Sequence, residues 1–217
     1  MPLRYKHETA NLKNYYMPMQ LPFPLRRTDL YPITLFILCI LAFFLHEQYY
    51  QLFEFERSSL EQGQLWRLFT SHLLHTNYQH LLLNLAALAL LFLLHRRYYS
   101  RYEFLLLMFI AAIIVSVGVY YSSPELQRYV GMSGVLHALF IWGAIQDIKH
   151  KDHTGYLLLA GVLIKVGYEQ LFGASEQLAN MIDANVAIDA HLWGIIAGII
   201  YVISSDFFFV IKKKKAL

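Results

Sequence analysis

The chain has 217 residues, of which 57% are apolar and 15% charged, and its formal net charge is +3. This length fits one domain, while the apolar excess and the long uncharged runs exclude an ordinary soluble protein. The single cysteine, Cys39, excludes an intrachain disulfide and a cysteine-based metal site. The net charge says nothing about nucleic acid, because the basic residues act as topology determinants, and we predict no nucleic-acid partner. We therefore predict an all-α polytopic membrane protein that needs no cofactor.

Residues 1–30 are polar, basic and rich in proline, and they lack the apolar segment of a cleavable signal peptide. We interpret them as a short cytoplasmic tail. Six largely apolar segments follow, each close to the ~20 residues that a spanning helix needs. They are Tyr31–Tyr50, Leu68–Leu94, Glu103–Tyr121, Ser133–Ile148, Thr154–Phe172 and Ala187–Ile211. The predicted organisation is a tail over 1–30, a membrane domain over 31–211 and a basic cytoplasmic tail over 212–217.

The distribution of Lys and Arg predicts the orientation of these spans. With the N-terminus in the cytoplasm, fourteen of the 18 basic residues fall on that side, in the two tails and in the second and fourth connections. Arg57, Arg67 and Arg128 fall outside, where the first and last loops are acidic, and Lys165 lies within the fifth span. Both termini are therefore expected in the cytoplasm, with basic residues beside anionic lipid headgroups.

Several polar residues precede and enter the second span, in the stretch "WRLFTSHLLHTNYQHLLLN". His75 lies near the outer mouth, and His80 and Asn84 share one helical face because they are four residues apart. Both can donate hydrogen bonds to a substrate oxygen, as a supplementary oxyanion hole requires. The structural alternative is interhelical hydrogen bonding.

Zinc binding is a further interpretation of the histidines. The five candidate ligands are His72, His75, His80, His137 and His191. The chain has no H-E-x-x-H motif and no carboxylate beside these histidines at ligand spacing. We therefore predict that the protein has no metal site.

The fourth span opens with the glycine-flanked serine of "GMSG". Only about 16 residues separate Ser133 from Lys149, or ~24 Å of helix, which is less than the ~30 Å hydrocarbon core. The helix should begin below the outer surface, where irregular backbone is tolerated only beside a cavity. Gly131 and Gly134 permit a tight turn there, with Met132 lining the cavity. The hydroxyl and the free helix N–H groups could form a nucleophile and an oxyanion site. An N-capping serine in a helix contact is the alternative.

The fifth span carries two charged residues, Lys165 and Glu169, at i, i+4 spacing. The spacing lets the two charges neutralise each other within the membrane, and a structural ion pair is the default interpretation. A proton or ion path is the functional alternative.

The last span carries His191 near its outer end, at a depth similar to that of Ser133. Gly194 and Gly198 form a small-residue face that lets two helices approach closely. If the partner is the fourth helix, Ser133 and His191 form a hydroxyl and base pair. Asp189 is two residues from His191 and so faces elsewhere, which excludes it as a third member.

Four motifs, in their order along the chain, resemble those of the rhomboid family of intramembrane serine proteases. Here they are Trp66-Arg67, His80…Asn84, Gly131-Met132-Ser133-Gly134 and Ala190-His191…Gly194…Gly198. The resemblance implies a six-transmembrane-helix rhomboid-like bundle, in which Trp66 and Arg67 are structural. His137 stands where many rhomboids have tyrosine. With this histidine, the stretch "KVGYEQLFG" and the compact length, the chain resembles the rhombosortase branch. That branch is thought to process bacterial proteins with a C-terminal Gly-Gly tail.

The resemblance implies a Ser–His dyad that cleaves single-span membrane proteins near the outer face. His191 would take the Ser133 proton and later protonate the leaving amine. The Ser133 N–H, His80 and Asn84 would hold the oxyanion, in a cavity lined also by Gly131, Met132, His75 and His137. The expected location is a bacterial inner membrane, with the site open to the periplasm and with membrane lipid and transmembrane substrates as partners.

Three alternatives stay open at this point. His137 is one helical turn from Ser133 and could be the base instead. A rhomboid-like pseudoprotease would only bind membrane helices, although it would be expected to lack the serine or the histidine. A small proton-coupled transporter would use Lys165, Glu169 and the histidines, and its ion flux would survive the loss of Ser133.

Overall fold

The computed structural model describes residues 25–45, 47–100 and 102–215. Most of the predicted N-terminal tail therefore lies outside the described residues. Within them the only sheet is one short antiparallel pair, β1 (Phe55–Glu56) with β2 (Arg128–Tyr129), which joins the loop after α2 to the turn before Ser133. The prediction of an all-α membrane bundle is confirmed.

The helices in chain order are α1 (Leu30–Phe43), α2 (Glu47–Phe53), α3 (Arg57–Glu61), α4 (Arg67–Thr70), α5 (Tyr78–His95), α6 (Glu103–Ser122), α7 (Ser133–Lys149), α8 (Thr154–Phe172), α9 (Glu176–Ile182) and α10 (Ile188–Lys215). Short 3₁₀ turns occur at Arg27–Asp29, Ser71–Leu73 and Arg96–Tyr98. Four segments of the described chain are long and apolar enough to cross a membrane, namely Tyr78–Tyr98, Glu103–Ser122, Thr154–Phe172 and Ile188–Phe207. With 14 and 17 residues, α1 and α7 are shorter.

Two predicted spans have different ends in the structure. The first, predicted over Tyr31–Tyr50, ends at Phe43, and α2 follows as a separate short helix. The second, predicted from Leu68, begins only at Tyr78. Asn77 ends the preceding loop with extended backbone, and its side-chain oxygen accepts a hydrogen bond from the His80 N–H at 2.9 Å. Hydropathy does not detect this N-cap, because capping is a polar and local effect.

The last span matches its predicted start to within one residue but continues past its predicted end at Ile211. The lysine run over 212–215 belongs to α10.

At the centre of the bundle, α7 packs against α5, α6, α8 and α10. Its residues Leu139, Ile141 and Trp142 are fully buried. A helix surrounded on all sides can be apolar all round, which explains the absence of a polar face. The main core also contains Cys39, which is a free, buried thiol.

Glycines let α7 and α10 approach closely. A Cβ atom at Gly194 would lie 2.0 Å from the Gly134 carbonyl oxygen, and one at Gly198 would lie 2.8 Å from that of Ala138. A Cβ atom at Gly134 would lie 2.7 Å from the Ala190 carbonyl oxygen. Because the obstructing atoms are backbone, the two helices could not keep this separation with larger residues.

At the end of the bundle away from Ser133, Asp29 links the start of α1 to the end of α5. Its carboxylate accepts hydrogen bonds from the Arg96 guanidinium and, at 2.7 Å, from the Arg26 backbone N–H. Asp29 is fully buried. The bonds from Arg96 and Arg26 lower the pKa of Asp29 to about 2, against the opposing effect of burial.

Candidate active site

The close contact of α7 and α10 brings a serine hydroxyl to a histidine ring. Ser133 is the first residue of α7, and His191 lies in the first turn of α10 and is 3% exposed. The Nε2 atom of His191 lies 2.9 Å from the Ser133 Oγ. This is hydrogen-bond distance, as a general base needs to take the hydroxyl proton.

The turn before Ser133 is held on both sides. Gly131 has a φ of +119°, a conformation that favours glycine, and a Cβ atom there would lie 2.7 Å from the His80 ring. Its carbonyl oxygen accepts a hydrogen bond from the Tyr129 hydroxyl at 2.8 Å and lies 3.2 Å from the Nδ1 of His72. His72 therefore helps to position the turn, a role that sequence reasoning missed because the contact joins residues 59 positions apart.

The two candidate oxyanion donors of α5 lie in the wall of the cavity that contains Ser133. His80 and Asn84 are both buried and line this cavity. The Nδ1 of His80 lies 3.1 Å from the Thr76 hydroxyl. The Asn84 side-chain amide donates to the His80 carbonyl at 3.0 Å, and an amide carries a second hydrogen that a substrate oxygen could accept.

Three residues predicted to line the cavity do not line it. Met132 is fully buried in the main core. His75 is 2% exposed, with its ring edge-on to His80 at 5.0 Å between centroids. Gly131 shapes the turn behind His80. Of the four, His137 alone is among the residues found to line the cavity.

His137 lies beneath His191, with ring centroids 4.3 Å apart and an interplanar angle of 23°. Its Nδ1 is 2.7 Å from the Ser133 backbone carbonyl and its Nε2 is 3.2 Å from the Lys165 Nζ. Neither of these two contacts involves the Ser133 hydroxyl. The geometry therefore favours His191 over His137 as the base.

The other ring nitrogen of His191 meets the charged pair of α8. Lys165 Nζ and Glu169 Oε2 are 2.9 Å apart, as the i, i+4 spacing predicted. The same Glu169 oxygen lies 2.8 Å from the Nδ1 of His191, and Lys165 Nζ lies 3.0 Å from that nitrogen. Sequence reasoning identified the pair but missed its contact with His191, since only the packing of α8 beside α10 creates it.

Trp66 and Arg67 brace the loop that connects α1 to α5. Arg67 is 3% exposed, and its Nη1 donates to the carbonyl oxygens of Gln51 and Glu54, both at 2.7 Å. The Trp66 indole N–H donates to the Leu52 carbonyl at 3.0 Å. These bonds tie α4 to α2 and to the loop that follows it.

Two cavities meet at Ser133. The larger, of about 440 Å³, is mostly apolar and is bounded by α5, α7 and α8, with His191 at its inner wall. The smaller, of about 170 Å³, is lined by Glu54 and Arg128 among others. Burial raises the pKa of Glu54. The serine is thus reached from an apolar side and from a polar side.

Zinc finds no support in the arrangement of the histidines. Among residues 25–45, 47–100 and 102–215, no three His, Cys, Asp or Glu side chains are grouped so as to hold a metal ion. His72, for example, is engaged with the Ser116 hydroxyl at 3.0 Å.

Fold and site together define a polytopic membrane protein with a serine hydroxyl and a histidine paired in a cavity among its helices. The rhomboid domain model matches residues 62–205, about two thirds of the sequence, and the chain belongs to the rhomboid family. The chain is also similar to "Putative rhomboid protease YdcA" of Bacillus subtilis (strain 168), with 27% identity over 136 residues. That match covers 63% of this chain and 65% of the relative, so the chain spans just under two thirds of the relative's length.

Proposed function

We propose that the protein is an intramembrane serine endopeptidase with Ser133 as nucleophile and His191 as general base. The observation that carries this proposal is the 2.9 Å contact between the Ser133 hydroxyl and the His191 Nε2 inside a cavity of the membrane bundle. Membership of the rhomboid family and the similarity to a relative named as a protease support peptide hydrolysis as the reaction.

In the proposed reaction, the Ser133 oxygen attacks a peptide carbonyl while its proton moves to the His191 Nε2. The backbone N–H of Ser133, with His80 and Asn84, would hold the oxyanion. His191 then gives the proton to the leaving amine, and an acyl-enzyme remains. Water entering beneath the outer loops would lose a proton to His191 and attack the ester. His191 would then return that proton to the Ser133 oxygen as the acid leaves.

The proposed substrates are single-span membrane segments cut near the outer face. The apolar cavity between α5 and α8 suits an apolar chain, and the smaller cavity, lined by Glu54 and Arg128, would give water a route to the same serine. A helical substrate must unwind to expose a carbonyl, and glycines lower the cost of unwinding. This favours the C-terminal Gly-Gly sorting tail of exported bacterial proteins, as in the rhombosortase branch, with the site open to the periplasm and both termini cytoplasmic.

The first test is labelling of the detergent-purified protein with a fluorophosphonate, which reacts with activated serines. We expect labelling of the wild type, loss in Ser133→Ala and in His191→Ala, and retention in His137→Ala. Loss in His137→Ala with retention in His191→Ala would instead make the base local. A folded wild type that takes no label would contradict the protease proposal.

The second test concerns the substrate. A reporter with one spanning helix, a basic cytoplasmic end and a Gly-Gly pair at the outer boundary would be compared with the same reporter carrying Leu-Leu. We expect Ser133-dependent cleavage of the first and little of the second. Equal cleavage of both would contradict the Gly-Gly preference while leaving the protease assignment intact.

A further inference from the structure

The two ring nitrogens of His191 have different neighbours. Nε2 faces the Ser133 hydroxyl at 2.9 Å, whereas Nδ1 has Glu169 Oε2 at 2.8 Å and Lys165 Nζ at 3.0 Å. The histidine and glutamate side chains are only 4% and 7% exposed, so water is largely excluded as a competing partner.

These neighbours favour opposite tautomers of His191. To take the serine proton, Nε2 must carry a lone pair, and a neutral imidazole then has its hydrogen on Nδ1. A carboxylate can accept that hydrogen, whereas an ammonium group can only donate. Glu169 therefore favours the form that can act as a base. Lys165 alone would favour the tautomer with the ring hydrogen on Nε2, and that tautomer cannot act as a base.

We propose that Glu169 is a positioning residue that holds His191 in its base-competent tautomer, so that the site works as a Ser133–His191–Glu169 triad. With the hydrogen on Nδ1, that nitrogen has no lone pair to accept a bond from Lys165, which donates instead to the same Glu169 oxygen, at 2.9 Å. This inference rests on the proposed function, because it assigns a partner to the proposed base.

The same contact acts after proton transfer, when His191 becomes an imidazolium ion. The Glu169 carboxylate stabilises that charge and the Lys165 ammonium opposes it. The other titratable groups around His191 are His137, stacked on it from α7, and His80, across the cavity on α5. Asp189, on the same helix, is engaged with the Ser123 hydroxyl.

Three variants separate these contributions. Glu169→Met leaves only a donor beside Nδ1, Lys165→Met leaves only an acceptor, and the double variant leaves neither. We expect fluorophosphonate labelling to fall by about 100-fold or more in Glu169→Met, as for a base held in the wrong tautomer. The double variant should label faster than Glu169→Met and more slowly than Lys165→Met.

An ion pair that is only structural predicts the reverse order for the single variants. Glu169 is the buried partner, with its side chain 7% exposed against 43% for Lys165. An unpaired charge costs more where it is buried, so Lys165→Met would then be the more damaged protein. Lys149→Met is a matched control, because it removes an exposed ion pair with Asp206 at 2.7 Å, at the far end of α7. It should leave labelling and thermal stability unchanged.

The pH dependence of labelling gives a second readout, which does not depend on how much of each variant is folded. Without Lys165, the remaining carboxylate favours the imidazolium, so the acidic limb of the rate profile should move to higher pH. Without Glu169, the remaining Lys165 ammonium disfavours the imidazolium, and the acidic limb of the rate profile should move to lower pH. Shifts in one common direction, or none, would overturn the proposal.

A direct measurement needs no variant of Glu169. The ¹⁵N spectrum of protein labelled at the histidine ring nitrogens, with His191 assigned by comparison with His191→Gln, should show the hydrogen on Nδ1. A hydrogen on Nε2 in the active wild type would overturn the triad. Fluorophosphonate labelling of Glu169→Met at the wild-type rate would also overturn it. Failure of the proposed function is distinct, since the wild type itself would then take no label at Ser133.

Discussion

Gly131 shows how much of the site depends on one backbone conformation. Its positive φ turns the chain so that Ser133 can begin α7, and its missing side chain leaves room for the His80 ring. Ser133, His80 and His72 all meet at this turn, so a small displacement there would affect the proposed functions of the site.

Gly131→Ala is expected to abolish labelling, because it adds both backbone strain, of about 1–3 kcal/mol, and a clash with His80. Fluorophosphonate labelling and thermal unfolding would be measured together. Gly63→Ala is the matched control, since Gly63 also has a positive φ of 87° but nothing lies within 4 Å of its added Cβ. Equal labelling of the two variants would show that the contact with His80 is unimportant.

At the level of elements, the separation of α7 and α10 decides whether the hydroxyl and the ring can meet. Backbone atoms face each glycine of the contact, so no side-chain rotation could absorb an added methyl group. Ser133, the first residue of α7, lies where the two cavities meet.

Gly194→Ala should separate the two helices, destabilise the protein by about 1–3 kcal/mol and reduce labelling strongly. Gly167→Ala on α8 is the control, since nothing lies within 4 Å of its added Cβ, and alanine favours a helix by about 0.5–1 kcal/mol over glycine. Thermal unfolding and labelling rates report the two effects. Wild-type behaviour of Gly194→Ala would mean that the helices can move apart without consequence.

Across the whole molecule, polar contacts hold the ends of the bundle while the core holds its middle. Asp29 joins the entry of α1 to the end of α5, and Asp147 accepts hydrogen bonds from Arg97 and Tyr98, at 3.0 and 2.7 Å, near the start of α8. Such ties matter because helices in lipid gain little from hydrophobic burial against one another.

Asp29 gives a pH-dependent prediction. Its pKa in the folded protein is lowered to about 2 from an ordinary value of 3.8. Its stabilising contribution is therefore complete above about pH 4 and is lost as the pH falls towards 2. The unfolding temperature of the wild type should therefore fall over this window more than that of Asp29→Asn. Parallel curves for the two proteins would contradict the contribution of Asp29.

Orientation is also a property of the whole molecule, and it can be tested with single cysteines in a Cys39→Ala background. The charge distribution predicts that Glu125→Cys, in the loop before β2, reacts with a membrane-impermeant maleimide added to spheroplasts. His150→Cys, after α7, should react only after the membrane is opened. The opposite pattern would reverse the assignment of the periplasmic face.

Much of this protein could be read from local patterns in the sequence. Apolar runs identified the membrane helices because spanning requires length and hydropathy, and glycine spacing indicated a close helix contact. Ser133 and His191 could be paired because equal depth follows from the charge-based orientation, with the motif order in support. The start of α5 was missed, since a single N-cap at Asn77 outweighed the apolar run.

Only the tertiary structure decided which side chains face each ring nitrogen of His191. Glu169 and His137 lie 22 and 54 positions from His191 in the chain, and their contacts with its ring depend on how α8 and α7 pack beside α10. Met132 entered the core for the same reason. Periodicity and charge report depth and face along one helix, whereas contacts of about 3 Å depend on the separation and rotation of neighbouring helices, which close packing sets.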